Sequence, residues 1–298
     1  MSSPQILSFG EILWDVIEGD EYIGGAPFNA AAHLAQLGCE SYFVSRVGDD
    51  SRGQRALKQA EELGVNIDLI QKDPTHPTGW VDVEFDQKNA PQYIIHTGVS
   101  YDFIDLDDGL LDFISQKKLA AFYFGTLAQR KEVSRDTLNK IIKEVQAQIN
   151  FFDINLRQEF FSRDIIAKSL EFTDILKLNE EEYRRVHEIL YNRRLKGPQI
   201  ASRLQTDFDL EIICVTRGAK GCTVITEEEK QDLPGSRVEV VDTVGSGDAF
   251  SAGFLFYFLH QGDPFKAAEL GNYLGGFTAA HRSAVPKYKK SDILQDFK

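Results

Sequence analysis

Short apolar runs alternate along this chain with longer amphipathic stretches, and that alternation constrains the fold more than any other feature. The runs lie at 6–9, 41–47, 121–124, 150–154, 175–178, 211–215 and 223–226. The amphipathic stretches lie at 54–63, 135–148, 163–170, 180–190 and 264–280. Strands alternating with helices of this length require right-handed crossovers, so they predict a mostly parallel sheet covered on both faces. One segment departs from the rule. Residues 79–85 alternate apolar and polar, as does part of 92–97, and turn-forming residues fill 86–90 between them. That pattern predicts an antiparallel hairpin with one wet face, and 18–22 is available to pair with it. A small β-sheet inserted into an α/β domain suits a lid over a reaction from which water is excluded.

The balance of charge narrows the partners. Thirty-three basic and 46 acidic side chains give a net charge of −13 over 298 residues. Such a surface disfavours nucleic acid and anionic membranes, so an anionic substrate must be gripped locally. Apolar residues make up 42 %, enough for a sizeable core. No apolar run approaches the ~20 residues of a spanning helix, and no leader precedes the run at 6–9. Three cysteines, Cys39, Cys214 and Cys222, lack metal-binding spacing, and their odd number suits a reducing, cytoplasmic location. The six histidines form no ligand pair.

Two glycine clusters carry chemistry. The later one, Asp242-Thr-Val-Gly245-Ser246-Gly247-Asp248-Ala-Phe250, follows the β-branched residues 238–241 and opens an apolar segment reaching Phe258. It is expected where a strand gives way to a helix. Glycines there let backbone N–H groups approach a ligand, and the helix start adds unpaired donors and a positive dipole end. Asp248 places a carboxylate inside that anion site. The plainer alternative makes Ser246 an N-cap and Asp248 a first-turn acid. A dinucleotide fingerprint is excluded by Phe250 where Gly or Ala is required, and no Gly-x4-Gly-Lys-Ser/Thr loop occurs. The earlier cluster is Gly24-Gly25-Ala-Pro27-Phe-Asn29, ending at Gly38. Pro27 suits a first helical turn and Gly38 a stop. Asn29 can donate and accept, as hydroxyl recognition requires, or can serve as a local cap. Asp15 falls beyond the first strand, where open α/β sheets bind ligands, or is a solvated loop acid.

Together the clusters resemble the two signatures of the ribokinase-like (PfkB) carbohydrate kinases, in the family's order and ~200 residues apart. Asn179-Glu-Glu-Glu182 resembles the family's Asn-x-x-Glu motif. Thr216-Arg-Gly218-Ala-Lys-Gly221 resembles its nucleotide loop. The resemblance spans essentially the whole chain. It implies a three-layer α/β/α sandwich with a mostly parallel sheet. It also implies a single domain, 1–298, whose β lid is formed by about 11–24 and 78–100. By residue, it implies that Asp248 is the catalytic base and that Gly245, Ser246, Gly247 and Asp248 form the anion hole. Asp15, Gly25 and Asn29 match sugar contacts. Thr216, Gly218 and Gly221 match the ATP side, with Asn272 beside the adenine. Asn179 and Glu182 match the region that organises magnesium through water. Asp242 and Val244, with carbonyls at 280–283, match a monovalent-cation (potassium) site. The pattern is most like bacterial fructokinases. Asp153-x-Asn155-x-Arg157 resembles a motif of fructokinases and of 2-keto-3-deoxygluconate kinases, which implies that Arg157 faces the sugar or its acid group; the plainer alternative is a surface salt bridge. Pairing of lid edges would make a homodimer.

Overall fold

A computed structural model describes residues 3–85, 91–192 and 197–297. The chain begins with β1 (Gln5–Phe9), β2 (Leu13–Ile17), β3 (Asp20–Gly24), α1 (Ala26–Gln36), β4 (Glu40–Gly48), α2 (Ser51–Glu62) and β5 (Ile70–Asp73). There follow β6 (Gly79–Phe85), β7 (Pro91–Ile95), α3 (Asp108–Gln116), β8 (Lys118–Phe124), α4 (Glu132–Glu144) and β9 (Gln146–Asp153). Next come α5 (Arg163–Leu170), β10 (Ile175–Asn179), α6 (Glu180–Tyr191), α7 (Gly197–Phe208) and β11 (Ile212–Thr216). The last elements are β12 (Cys222–Ile225), β13 (Lys230–Leu233), α8 (Ser246–Gln261), α9 (Pro264–Ala279) and α10 (Lys290–Asp296).

Among the described residues the main sheet has nine strands, ordered β13-β12-β11-β10-β9-β8-β1-β4-β5. Every pair from β5 to β11 is parallel, and β12 and β13 add an antiparallel edge. Successive strand residues face opposite layers, so the apolar runs bury both sides. On β8 and β9, Phe122, Phe124 and Phe152 pack with α3 to α7. Ala121, Tyr123 and Phe151 pack with α1, α8 and α9. This is the three-layer α/β/α sandwich that the alternation implies. A second sheet of four strands, β3-β2-β6-β7, stands apart from it.

Three local expectations fail. Residues 238–241 are not a strand. Val240 and Val241 are exposed, and the backbone is held by Val241 N and Asp242 N, which donate to the Ala279 carbonyl at 2.8 and 3.1 Å. The sheet ends at β13, whose outer edge has no partner strand among the described residues, but the backbone at 241–242 bonds to the end of α9 instead, so β-branched composition alone did not make a strand. The stretch 18–22 does not pair with the hairpin. β3 pairs with β2, and β2 runs parallel to β6 with Leu13 opposite Gly79. Asp15 therefore sits in a strand rather than a loop. Residues 146–148 belong to β9, not to the helix before it, because polar residues at a strand's rim carry no periodicity of their own. The β6–β7 hairpin forms as expected; its turn, 86–90, lies outside the described residues.

Candidate active site

The carboxyl ends of β9, β10 and β11, the starts of α1 and α8, and one face of the second sheet enclose a cavity of about 530 Å³. Local sequence explains each position. Gly25 precedes α1 with φ of 112°, and a Cβ there would lie 2.4 Å from the Glu11 carbonyl oxygen. Only glycine lets the chain turn this tightly beside β1's exit. Pro27 then starts α1, as the sequence suggested. Gly245 plays the same part before α8. Its φ is 77°, and a Cβ would meet Ala284 at 2.6 Å.

At the start of α8, Asp248 meets α1. Asn29 Nδ2 donates to Asp248 Oδ2 at 2.8 Å, while Asn29 Oδ1 is buried without a protein partner. Asn29 is thus no local cap; it bridges 219 residues of sequence. The Asp248 carboxyl is pushed up from 3.8 to about 6, first by burial and then by Asp153, against the pull of Lys177, Asn29 and Arg157. Of the loop's N–H groups, Ser246 N and Asp248 N make turn bonds to Thr243 and Gly245 carbonyls at 3.2 and 3.1 Å. Those of Gly245 and Gly247 have no partner among the described residues, so they are the donors open to an anion. The Ser246 hydroxyl is buried and unpartnered and does not line the cavity.

Asp15, Gly25, Asn29 and Arg157 line the opposite side of Asp248. Burial raises the Asp15 carboxyl to about 6, with Arg157 opposing. Arg157 is exposed, and its side chain has no hydrogen bond or ion pair among the described residues. Its loop is constrained: Asn155 and Gln158 have φ of 42° and 48°, and Gln158 Nε2 donates to the Tyr93 carbonyl of β7 at 2.6 Å. That bond ties the loop to the second sheet.

Beyond Asp248 the cavity reaches Asn179, Glu182, Thr216 and Val244. Asn179 caps α6, accepting from Glu181 N and Glu182 N at 2.9 Å. Glu182 completes the capping box, accepting from Asn179 N and also from Leu156 N, each at 2.8 Å. Both carboxylate oxygens are thereby engaged, which fits a cation held through water better than one ligated directly. Val244 N donates to Asp242 Oδ1 at 3.0 Å, and Ala279 binds this turn, so Asp242, Val244 and the end of α9 are brought together. Gly218 and Gly221 shape the β11–β12 turn outside the cavity. Asn272 Nδ2 donates to the Pro234 carbonyl at 3.1 Å and to Cys222 Sγ at 3.4 Å, away from it. Among the described residues no cluster of three His, Cys, Asp or Glu side chains could hold a metal.

The residues matching the pfkB family carbohydrate kinase model run from 3 to 290. The chain belongs to that family. A protein from Pyrococcus horikoshii described as a sugar kinase is 30 % identical over 310 residues, covering 97 % of this chain and 94 % of the relative. The fructokinase of Escherichia coli is 28 % identical over 245 residues, covering 78 % of this chain and 75 % of that enzyme. The crystal structure of the Pyrococcus horikoshii sugar kinase in complex with ATP superposes with a TM-score of 0.82 at 27 % identity, covering 97 % of each chain. As a pfkB carbohydrate kinase, the protein is a sugar phosphotransferase.

Of the floor of the site the sequence reading singled out only Asp153, as the first residue of Asp153-x-Asn155-x-Arg157, and missed Tyr123 and Lys177. Tyr123, Asp153 and Lys177 stand at the ends of the adjacent strands β8, β9 and β10, facing α8. Glu11, 2 % exposed, lines the cavity with Oε2 unpartnered, and burial together with Asp248 lifts its carboxyl to about 7. A signal for Lys177 was present: a lone lysine within the apolar run Ile175-Leu-Lys-Leu178, at the end of a strand buried on both faces.

Proposed function

We propose that this pfkB kinase transfers the γ-phosphoryl group of ATP to the 6-hydroxyl of D-fructose, giving fructose 6-phosphate and ADP. One observation carries the reading. Asp248 stands between two sets of polar groups in a single cavity, Asp15 and Asn29 on one side and Asn179 and Thr216 on the other. That is the layout of a two-substrate site with its base at the junction. The E. coli fructokinase supports the sugar, and the ATP complex of the P. horikoshii relative supports the donor.

Asn29 fixes Asp248 Oδ2, leaving Oδ1 to take the proton of the attacking hydroxyl. Asp15 and the free Oδ1 of Asn29 accept from other sugar hydroxyls. The N–H groups of Gly245 and Gly247 donate to the phosphoryl oxygens as it passes between the two oxygens in line. Magnesium bound with the nucleotide would neutralise phosphate charge; Asn179 and Glu182 are the residues that would hold it, through water. Potassium would rest on Asp242, Val244 and carbonyls at 280–283. The second sheet, clasped to the 155–158 loop through Gln158 and Tyr93, acts as the lid.

An ADP-release assay over fructose, ribose, 2-keto-3-deoxygluconate and adenosine tests this. Fructose should give the highest kcat/KM by at least ~10-fold. A preference for the keto-deoxy acid would instead make the unpaired Arg157 a carboxylate ligand. Tight binding without turnover on any sugar would mark a sensor and sink the enzyme reading.

A further inference from the structure

The charged side chains lining the cavity are Glu11, Asp15, Glu182, Asp248, Arg157 and Lys177. Four carboxylates face two cations, yet the reaction delivers a polyanion here. Arg157 lies exposed on a loop on the sugar side. Lys177 is different. Its side chain is nine-tenths buried, and its Nζ lies under the anion-hole turn: a Cβ added to Gly247 would stand 3.1 Å from it.

The surroundings of Lys177 hold it in place without exhausting it. Nζ donates to Asp153 Oδ1 and Oδ2, both at 3.0 Å. Asp153 Oδ2 also lies 2.8 Å from the Tyr123 hydroxyl and 2.8 Å from Ser251 Oγ on α8. Ser251 Oγ in turn lies 3.1 Å from the Gly247 carbonyl. Asp153 is therefore anchored from three elements, and it aims the ammonium group at Gly247. An ammonium has three N–H donors, and Asp153 takes two of them. Burial opposes the charge on Lys177, but Asp153, Asp248 and Glu182 outweigh it and keep the amine protonated. A buried ion pair is a poor stability device, since two apolar side chains would serve the packing as well or better.

We propose that Lys177 is a catalytic residue of the phosphoryl transfer, donating its third N–H from beneath Gly247 to the phosphoryl group in transit. The inference rests on the kinase reading above. In the step, the sugar oxygen forms its bond to phosphorus as the bridging oxygen of ADP departs with the electron pair. The hydroxyl proton goes to Asp248. Lys177 begins and ends the step protonated, and its fixed charge counters what spreads over the phosphoryl oxygens. Glycine at 247 is required on this account because any side chain would separate the ammonium from the anion.

The test uses the full-length protein with fructose, ATP and magnesium. Lys177→Met should lower kcat at least ~10²-fold while leaving KM for fructose and the dissociation constant for ATP within about threefold, because its contact is made to the moving group. It should weaken binding of ADP with magnesium and fluoroaluminate in the presence of fructose by a comparable factor. Should Met leave Asp153 uncompensated and unfold the chain, the pair Lys177→Met with Asp153→Asn removes both charges and should fold with the same loss of kcat. A folded double variant with kcat within tenfold of wild type overturns the proposal, as does unchanged fluoroaluminate binding. Turnover by the wild type, lost in Asp248→Asn, checks the underlying reading separately. If the wild type turns over no sugar, both fall together; if it does and the double variant matches it, only the role of Lys177 falls.

Discussion

Asp248 is the residue where function and stability pull apart. Its folded carboxyl sits near 6 rather than 3.8, because burial and Asp153 penalise the charge. Above that pH the native state carries a carboxylate that the unfolded chain would solvate better, a cost of order 2–3 kcal/mol. Asp248→Asn should therefore raise Tm by a few degrees while lowering turnover at least ~10²-fold with ATP binding retained. Turnover near wild type would remove Asp248 as the base. The same shift sets a pH profile. On the proposed role of Asp248 as base, protonation as pH falls through about 6 removes the acceptor, so kcat/KM should decline along an acid limb centred near 6. A profile flat down to pH 4.5 would contradict this. Asp15 should show up in the sugar term. Asp15→Ala removes a charged acceptor from hydroxyl partners, and KM for the sugar should rise at least ~10-fold with kcat much less affected.

Helix α1 joins two parts of the site through one face. Asn29 holds Asp248, and one turn on, His33 is fully buried, with Nε2 3.0 Å from the Ala284 carbonyl and Nδ1 3.0 Å from the Tyr288 hydroxyl. Ala284 is the residue against which Gly245 turns. Burial depresses His33 from 6.5 to about 4. Below 6.5 the unfolded chain binds a proton that folded His33 refuses, so its contribution to stability is lost as pH drops from 6.5 towards 4. His33→Gln should be less stable than wild type at pH 7, and that deficit should shrink by about 3 kcal/mol by pH 4. Denaturant melts at both pH values measure it; a constant deficit would show that His33 does not titrate in this window.

On the scale of the molecule, the second sheet has two edges, β3 and β7, and both expose apolar side chains: Tyr22, Tyr93 and Ile94 are each more than two-fifths exposed. Strand edges with such residues invite pairing, although the Tyr93 carbonyl on β7 already accepts from Gln158. We propose that two copies associate through these sheets; light scattering should give twice the chain's 33.6 kDa, and Tyr93→Lys with Ile94→Lys should return it to one. A monomer at micromolar wild type would end the proposal. At the other face of the sheet, Trp14 stacks under Arg55, with the Arg55 guanidinium 4.4 Å from the ring, and Glu21 pairs with Arg52 and Arg55. This fastens the second sheet to α2.

The sequence alone determined the layers and the two glycine turns. A strand buried on both faces is mostly apolar, and a positive-φ turn where a Cβ would strike backbone, as at Gly25 and Gly245, must be glycine, so both leave marks in the sequence. It also named Asp248, Asn29 and Asp15, since motifs carry residue types at fixed spacing. Tertiary structure alone decided the rest. Asn29 becomes the partner of Asp248 across 219 residues only when α1 and α8 lie side by side. Residues 238–241 had strand composition, but the backbone at 241–242 is bonded to the end of α9. Tyr123, Asp153 and Lys177 lie in three separate apolar runs; parallel register sets Lys177 opposite Asp153, and the Tyr123 hydroxyl reaches Asp153 from the next strand. Local propensity acts within a few residues of sequence, whereas charge, burial and hydrogen bonding act across a few ångströms of space, and only folding converts one distance into the other.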